Sequence, residues 1–425
     1  MFDMKTMYST VHKDDFPESL IIELGGEKLV YEKRTWILDG EEKGLRYGEN
    51  PDQPAALYAL KKGVSSCGGF ALRGPEDGIV SALAEGQMLQ VGKHPGKTNL
   101  TDVDNGANIL QYLTERPAAV ILKHNNPCGA AWSNEGLAEA LAAAVRCDRI
   151  AAFGGAVVTN RAFSREAAQL VAESYFEVVA APAFEEGAAD ILKGRKNLRI
   201  MELSGLGRLE KWRRSAFLEI KTLSDGGLVL QKSFVSRIGA DTDFLPAEAT
   251  TKDGLSVMAR RPAKSELDDL RFAWAVEAGV TSNSVIFARN GATLAIGTGE
   301  QDRVGCVELA VYKAYTKYAD TLAFVECGLS LYELKQKAAG EAEFQEKLAD
   351  IEGRTKAVQA GLAKSVLASD GFFPFRDGAD VAISEGVAAI AQPGGSLRDA
   401  EVIMACNEAA PQVAMVFTGQ RSFKH

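Results

Sequence analysis

AAVILKHNNPCG, residues 118–129, runs from five apolar residues straight into a polar, turn-prone segment. The Ala118–Leu122 run shows no alternation, the pattern of a strand buried on both faces in a sheet flanked by helices. Beyond it, Glu135–Val145 predicts a helix with Leu137, Leu141 and Val145 on one face and Ser133 or Asn134 as cap. Gly154–Val158 reads as the next strand. A helix capped by Ser164 follows, carrying Leu170, Val171, Ser174 and Tyr175 at helical spacing, and then strands over Glu177–Ala181 and Leu198–Met201. This alternation predicts an α/β fold.

A second stretch repeats the style. Val285–Ala288 and Thr293–Ile296 flank Asn290-Gly291, the dipeptide that best suits a two-residue hairpin turn. Ser365–Ala368, Val387–Ala391 and Val413–Phe417 read as strands, separated by helices over 377–385 and 397–408. Residues 331–356 are charge-rich, with Leu334, Ala338, Phe344, Leu348 and Ile351 as a thin apolar stripe, the pattern of a solvated helical insertion within about 316–362. The expected division is a leader over 1–44, a first α/β subdomain over 45–215 carrying Lys123-His124, and a second over 216–425. A crossover lies at 206–225.

Acidic residues number 57 and basic ones 48, a net charge of −9, so no global footprint exists for nucleic acid or an anionic membrane. An anionic small molecule would need a local cluster of Arg and Lys. The opening MFDMKTMYSTVHKDDFPESL has no apolar core of a signal peptide, and no stretch is apolar for long enough to predict a membrane span. Six scattered cysteines without a CxxC pair argue against a disulfide framework and a zinc ribbon, and for a reducing, cytoplasmic setting.

Only four histidines are present: His12, His94, His124 and His425. His12 lies in the leader, and His94, in GKHPGK, reads as solvated loop. His124 instead follows the buried strand, where open α/β sheets bind ligands beyond the carboxyl ends of their strands. On a continuing strand Lys123 and His124 would point to opposite faces, so both serve one ligand only if the strand stops there. Asn126-Pro127 and Gly129 favour such a stop.

Other segments admit two readings each. Phe153-Gly154-Gly155 suits close backbone approach to a planar ligand or a tight strand entry. Gly297-Thr298-Gly299 before Asp302-Arg303 and a helix suits an anion or an ordinary turn, as does Gly394-Gly395-Ser396. Phe372-Phe-Pro-Phe375 suits a stacking slot for a heterocycle or a plug for the core. Arg421-Ser-Phe-Lys-His425 directly follows a strand and is either a frayed end or part of a site.

In order along the chain stand LRYGENPDQ (45–53), KHNNPCG (123–129), AFGGAVVTNR (152–161), SNSVIFARNG (282–291), IGTGEQDR (296–303), SDGFFPFRD (369–377) and RSFKH (421–425). Together they resemble the AICAR formyltransferase (transformylase) module of the bifunctional purine-biosynthesis protein, from about Leu45 to His425. The resemblance implies two cytidine-deaminase-like α/β subdomains and a homodimer with interfacial active sites. It also implies transfer of the formyl group of 10-formyltetrahydrofolate to the 5-amino group of AICAR, the aminoimidazole carboxamide ribonucleotide.

By the same resemblance Lys123, His124 and Asn283 are catalytic, with Asn283 polarising the formyl oxygen or binding the nucleotide. Arg46, Tyr47, Asn99, Phe153, Gly154, Glu177, Arg303, Phe372 and Arg421 match nucleotide-contacting positions. Ile150, Val304, Pro374, Phe375 and Asp377 match the folate side. A potassium ion is implied near Asp370, held mostly by backbone carbonyls.

Two positions depart from the family pattern: Asp52 stands where a histidine is usual, and Thr281 where Lys or Gln is common. The family's cyclohydrolase domain is not in this sequence, so a separate cyclohydrolase is expected downstream. A zinc deaminase shares the expected subdomain fold, but Ala131 stands where the second cysteine of PCxxC belongs and no HxE precedes it, so no zinc is expected. The alternative is a non-catalytic purine-nucleotide-binding paralogue.

Overall fold

Strands that are apolar on both faces leave their backbone groups no access to water, so they form only inside a sheet. The computed structural model describes residues 11, 14–38, 40–63, 66–67, 70–71, 73–252 and 254–425. His12 lies outside them. The chain divides into two α/β units: Met1–Pro117, Leu122–Asn125 and Gly154–Val235 form the first, and Ala118–Ile121, Asn126–Phe153 and Ser236–His425 the second.

In the first unit, strand Ala156–Thr159 lies parallel to Val178–Ala181, which lies parallel to Arg199–Glu202. Strand Met88–Gln90 runs antiparallel along that last strand. Helix Lys97–Leu110 packs closely over the sheet at Gly106, where a Cβ would stand 2.6 Å from Val158 Cγ2. Helix Arg165–Ala172 opens as expected, with Ser164 Oγ accepting from the Ala167 amide at 3.2 Å. It ends before Ser174 and Tyr175, which belong to the following turn. Strands Ser19–Leu24, Glu27–Arg34 and Leu57–Lys62 form a separate antiparallel sheet.

In the second unit, Val366–Ser369, Ala389–Gln392 and Ala414–Phe417 are parallel neighbours. Val285–Arg289 runs antiparallel to Val366–Ser369 and to its own hairpin partner Ala292–Gly297. Helix Arg303–Cys327 covers this sheet, and Val285, Phe287, Val307, Leu367, Phe373 and Ile390 fill the core beneath it. Helices Leu331–Ala338 and Ala342–Ala357 are the charge-rich insertion. Leu334 and Ile351 of its apolar stripe are buried against Ala319 and Ala323 of the long helix.

Among the strands not anticipated is Asn126–Trp132, between the His124-Asn125 turn and the next helix. That helix spans Leu137–Cys147 with Gly136 at its N-cap, instead of Ser133 or Asn134; Ser133 Oγ accepts from the Glu135 amide one turn earlier. With the extra strand in place, both halves of the chain show one element order. Helix Lys97–Leu110 leads to strands Ala118–Lys123 and Asn126–Trp132, and helix Lys264–Glu277 leads to Val285–Arg289 and Ala292–Gly297. Three helix–strand pairs complete each set. The duplication lies in the order of elements and is not legible in residue identities.

Among the described residues no helix is long and apolar enough to cross a membrane. Cys128, Cys147, Cys306, Cys327 and Cys406 are free thiols.

His94 corrects a second expectation: it is 6% exposed. Its Nε2 lies 2.8 Å from Gly44 O and its ring meets Trp36 edge-on at 5.3 Å. Burial, with help from the positive charges of Arg46 and Arg199, pushes the imidazole down to about 4. The folded state therefore holds His94 neutral while an unfolded chain protonates it near pH 6.5. Its stabilising contribution is complete above pH 6.5 and is lost as pH falls toward 4, amounting to up to ~3 kcal/mol. Urea unfolding of wild type and His94→Gln at pH 7 and pH 5 checks this. The gap between them should narrow at pH 5; a gap independent of pH contradicts it.

Candidate active site

The strand Ala118–Lys123 stops because the next two residues are left-handed, with φ of 55° at His124 and 62° at Asn125. The left-handed region costs residues with a Cβ about 1–2 kcal/mol, although Asn and His enter it more often than most. The preceding helix supplies what holds the turn. The Asn125 amide donates to Asp102 Oδ1 at 2.6 Å, and Asn105 Nδ2 donates to Asn125 O at 2.8 Å. Asp102 and Asn105 are buried on helix Lys97–Leu110. The second half repeats the device at the same helical position. Asp269, on helix Lys264–Glu277, accepts from the Asn290 and Gly291 amides at 2.9 and 2.7 Å. There the turn is Asn-Gly and unstrained; in the first half a histidine occupies it.

With the pleat ended at Lys123, His124 is exposed and Lys123 half-buried. A Cβ on Gly154 would lie 3.9 Å from Lys123 Nζ, and Gly154 itself is left-handed at φ 78°. The Gly154 amide donates to Tyr175 O at 2.7 Å and the Glu177 amide to Gly155 O at 2.9 Å, which seats Glu177 beside this strand entry. Glu177 Oε2 accepts from Asn99 Nδ2 at 3.1 Å and pairs with Arg199 Nη1 at 3.4 Å. Arg46 is buried, donates from Nη2 to Tyr47 Oη at 3.0 Å, and lies over the Tyr47 ring. The Lys97 amide donates to Tyr47 O, fixing this pair against the start of the same helix.

The first unit thus gathers Arg46, Tyr47, Asn99, Lys123, Gly154 and Glu177 through consecutive contacts. Arg46 and Arg199 are both buried here, and Arg199 is paired with Glu177. Burial, followed by repulsion from Arg46, pushes Arg199 down to about 10, so it stays charged at neutral pH.

The second unit builds a different site. Arg303 opens helix Arg303–Cys327, capped by Asp302, which accepts from the Gly305 amide at 2.6 Å. The Arg303 guanidinium turns inward, donating to Asp370 Oδ1 at 2.6 Å, to Ser284 O at 2.8 Å and to Asn283 Oδ1 at 2.6 Å. Asn283 Nδ2 donates to Glu300 O at 2.9 Å. The C-terminal segment is pinned here, with the Ser422 amide donating to Asp370 O and the Ser282 amide to Lys424 O. Residues Asn283, Gln301, Arg303, Phe372, Pro374 and Arg421 line a cleft of about 340 Å³.

The two-way readings resolve along the chain. Phe372 lines the cleft, Phe373 is core, and Phe375 is exposed with the Arg398 guanidinium 4.9 Å from its ring centroid. Asp399 accepts from the Gly395 and Ser396 amides, so those donors are spent on a helix cap. Gly297 packs against Cys306, where a Cβ would stand 2.4 Å from its carbonyl oxygen. Ile150, Phe153, Val304, Phe375 and Asp377 do not line the cleft; Phe153 is 57% exposed.

Both Asp370 carboxylate oxygens are occupied, one by Arg303 and the other by the Ser282 hydroxyl. Among the described residues no group of three or more His, Cys, Asp and Glu could hold a metal ion. The unusual Thr281 contributes its backbone, its amide donating to Asn126 Oδ1 at 2.9 Å, and Asp52 is exposed.

Sequence reasoning missed Asp102, Asn105, Arg199 and the buried acid Glu277. Arg199 did leave a signal, a charge inside the apolar run Leu198-Arg-Ile-Met201.

An α/β protein with a polar site at a strand end is the class that this fold and geometry define. The chain matches the AICARFT/IMPCHase bienzyme family over residues 6–313, and it belongs to that family. The bifunctional purine biosynthesis protein PurH of Corynebacterium glutamicum (strain R) is 36% identical over 384 residues, covering 90% of this chain and 58% of the relative. PurH of Magnetococcus marinus is 36% identical over 383 residues, covering 90% and 59%. The chain thus spans less than two thirds of the length of these curated relatives.

The strained turn gives a test. His124→Gly, which removes the left-handed penalty, should be about 1 kcal/mol more stable than His124→Ala. Chemical unfolding measures the difference. Equal stability, or a less stable glycine variant, would show that the turn is not strained.

Proposed function

We propose that this protein is an AICAR formyltransferase. It moves the formyl group of 10-formyltetrahydrofolate to the 5-amino group of AICAR, giving FAICAR in purine biosynthesis toward IMP. The observation that carries the reading is the clamped turn at the end of a buried strand, which frees His124 from the pleat beside the half-buried Lys123. Family membership supports it.

The amine nitrogen attacks the formyl carbon, the carbon–N10 bond breaks, and one proton must travel from the amine to the leaving nitrogen. His124 is the proton shuttle, for which an exposed imidazole is suited. Lys123 and Asn283 stabilise the oxyanion that develops. Asn283 Nδ2 carries two hydrogens, one committed to Glu300 O, so the second can serve the formyl oxygen.

Arg46, Tyr47, Asn99, Phe153, Gly154, Glu177, Arg303, Phe372 and Arg421 are assigned to the nucleotide. Arg303 also holds Asn283 in place by donating to its Oδ1. Ile150, Val304, Pro374, Phe375 and Asp377 are assigned to the folate. A cytoplasmic homodimer with interfacial active sites, built from cytidine-deaminase-like subdomains over 45–215 and 216–425, completes the reading, with a cyclohydrolase consuming the product.

Purified protein incubated with AICAR and 10-formyltetrahydrofolate should release tetrahydrofolate only when both are present, with a trap for the formylated product. His124→Ala should lose at least about 100-fold in kcat while still binding AICAR. Wild-type turnover in that variant would refute the proton role. Tight AICAR binding by the unmodified protein with no turnover would favour the non-catalytic paralogue.

A further inference from the structure

Arg199 begins strand Arg199–Glu202, in a position where a parallel strand normally carries an apolar residue. Its side chain is 1% exposed, and Glu177, its ion-pair partner, is 36% exposed. The guanidinium is tied to the residue as well as to the carboxylate. Nη1 donates to Glu177 O at 3.2 Å and lies 3.4 Å from Oε2, while the Arg199 amide donates to Glu177 O at 3.0 Å. Asn99 takes the same Oε2 from the other side at 3.1 Å. One oxygen of Glu177 is thus held by two donors, and among the described residues Oε1 makes no hydrogen bond, while the side chain is 36% exposed. The Nε of Arg199 is buried without an acceptor among the described residues.

Stability alone accounts poorly for this arrangement. A buried arginine paired with a half-exposed carboxylate at 3.4 Å gives back little of its desolvation cost, and an apolar residue would serve the strand better. Arg46 lies near enough for its charge to bear on Arg199, which adds repulsion. Fixing an acceptor for a ligand is a purpose that the geometry does serve, because a carboxylate held at one oxygen presents the other in a single orientation.

We propose that Arg199 is a positioning residue for nucleotide recognition: it clamps one oxygen of Glu177 so that the other accepts a hydrogen bond from an N–H or O–H group of the bound ribonucleotide. The proposal rests on the formyltransferase reading, and its test separates the two. Binding of AICAR is followed by calorimetry in the unmodified full chain and in Arg199→Met, Arg199→Lys, Glu177→Gln and the Arg199→Met/Glu177→Gln double variant, each checked by thermal unfolding.

Arg199→Met should weaken AICAR binding at least tenfold, raising KM while kcat at saturating AICAR stays within about twofold. Arg199→Lys, which keeps the charge but loses the planar fork, should fold like the unmodified chain and still bind several-fold more weakly. The double variant should bind no worse than Glu177→Gln alone, because Arg199 acts through Glu177. Undiminished binding in Arg199→Lys or Arg199→Met, or losses that simply multiply in the double variant, overturns the proposal. If the unmodified chain binds no AICAR, the formyltransferase reading fails and takes this one with it; tight binding indifferent to residue 199 removes this one alone.

Discussion

The hydrogen bond from the Asn125 amide to Asp102 sets the direction of the chain after Lys123, and the candidate chemistry follows from that direction. A histidine at φ 55° opposes the turn by about 1–2 kcal/mol. A short bond to a buried carboxylate contributes of the same order, and Asn105 adds a second from the same helix. The balance lets an unfavourable residue occupy a position that its counterpart in the second half fills with Asn290-Gly291. Equivalent helices clamp both turns, so the difference between them lies in the residue displayed, a pattern expected where local strain serves function.

The two units handle charge in opposite ways. In the second, Arg303 and Asp370 form a buried pair at 2.6 Å, and burial, reinforced by Asp370, raises Glu277 well above the ordinary carboxylate range. Glu277 accepts from the Ser284 hydroxyl. This network holds Ser282, Asn283 and Ser284 from three sides, and loss of either partner of its ion pair would cost on the order of 3–5 kcal/mol. In the first unit, buried Arg199 is paired with the half-exposed Glu177, and Arg46 is buried as well.

Much of this was legible in the residues. Uninterrupted apolar runs and Asn290-Gly291 marked strands and a hairpin because burial on two faces and a left-handed turn each demand particular residue types. The strand Asn126–Trp132 was hidden because NNP reads as loop, and nothing local reveals that Asp102 spends its carboxylate on that turn. His94 looked solvated in GKHPGK, but its burial depends on Trp36 and Gly44, distant in sequence. The Lys123-His124 motif carried its own signal, whereas Asp102 and Arg199 act through partners that only the fold supplies. The division of FFPF among cleft, core and solvent was equally a matter of tertiary placement.

The most direct measurement uses the scarcity of histidine: with only four in the chain, their ring resonances can be resolved and assigned by single substitutions. Titration with AICAR alone should move the His124 signals. Saturable binding of AICAR with the His124 resonances unmoved would contradict the account.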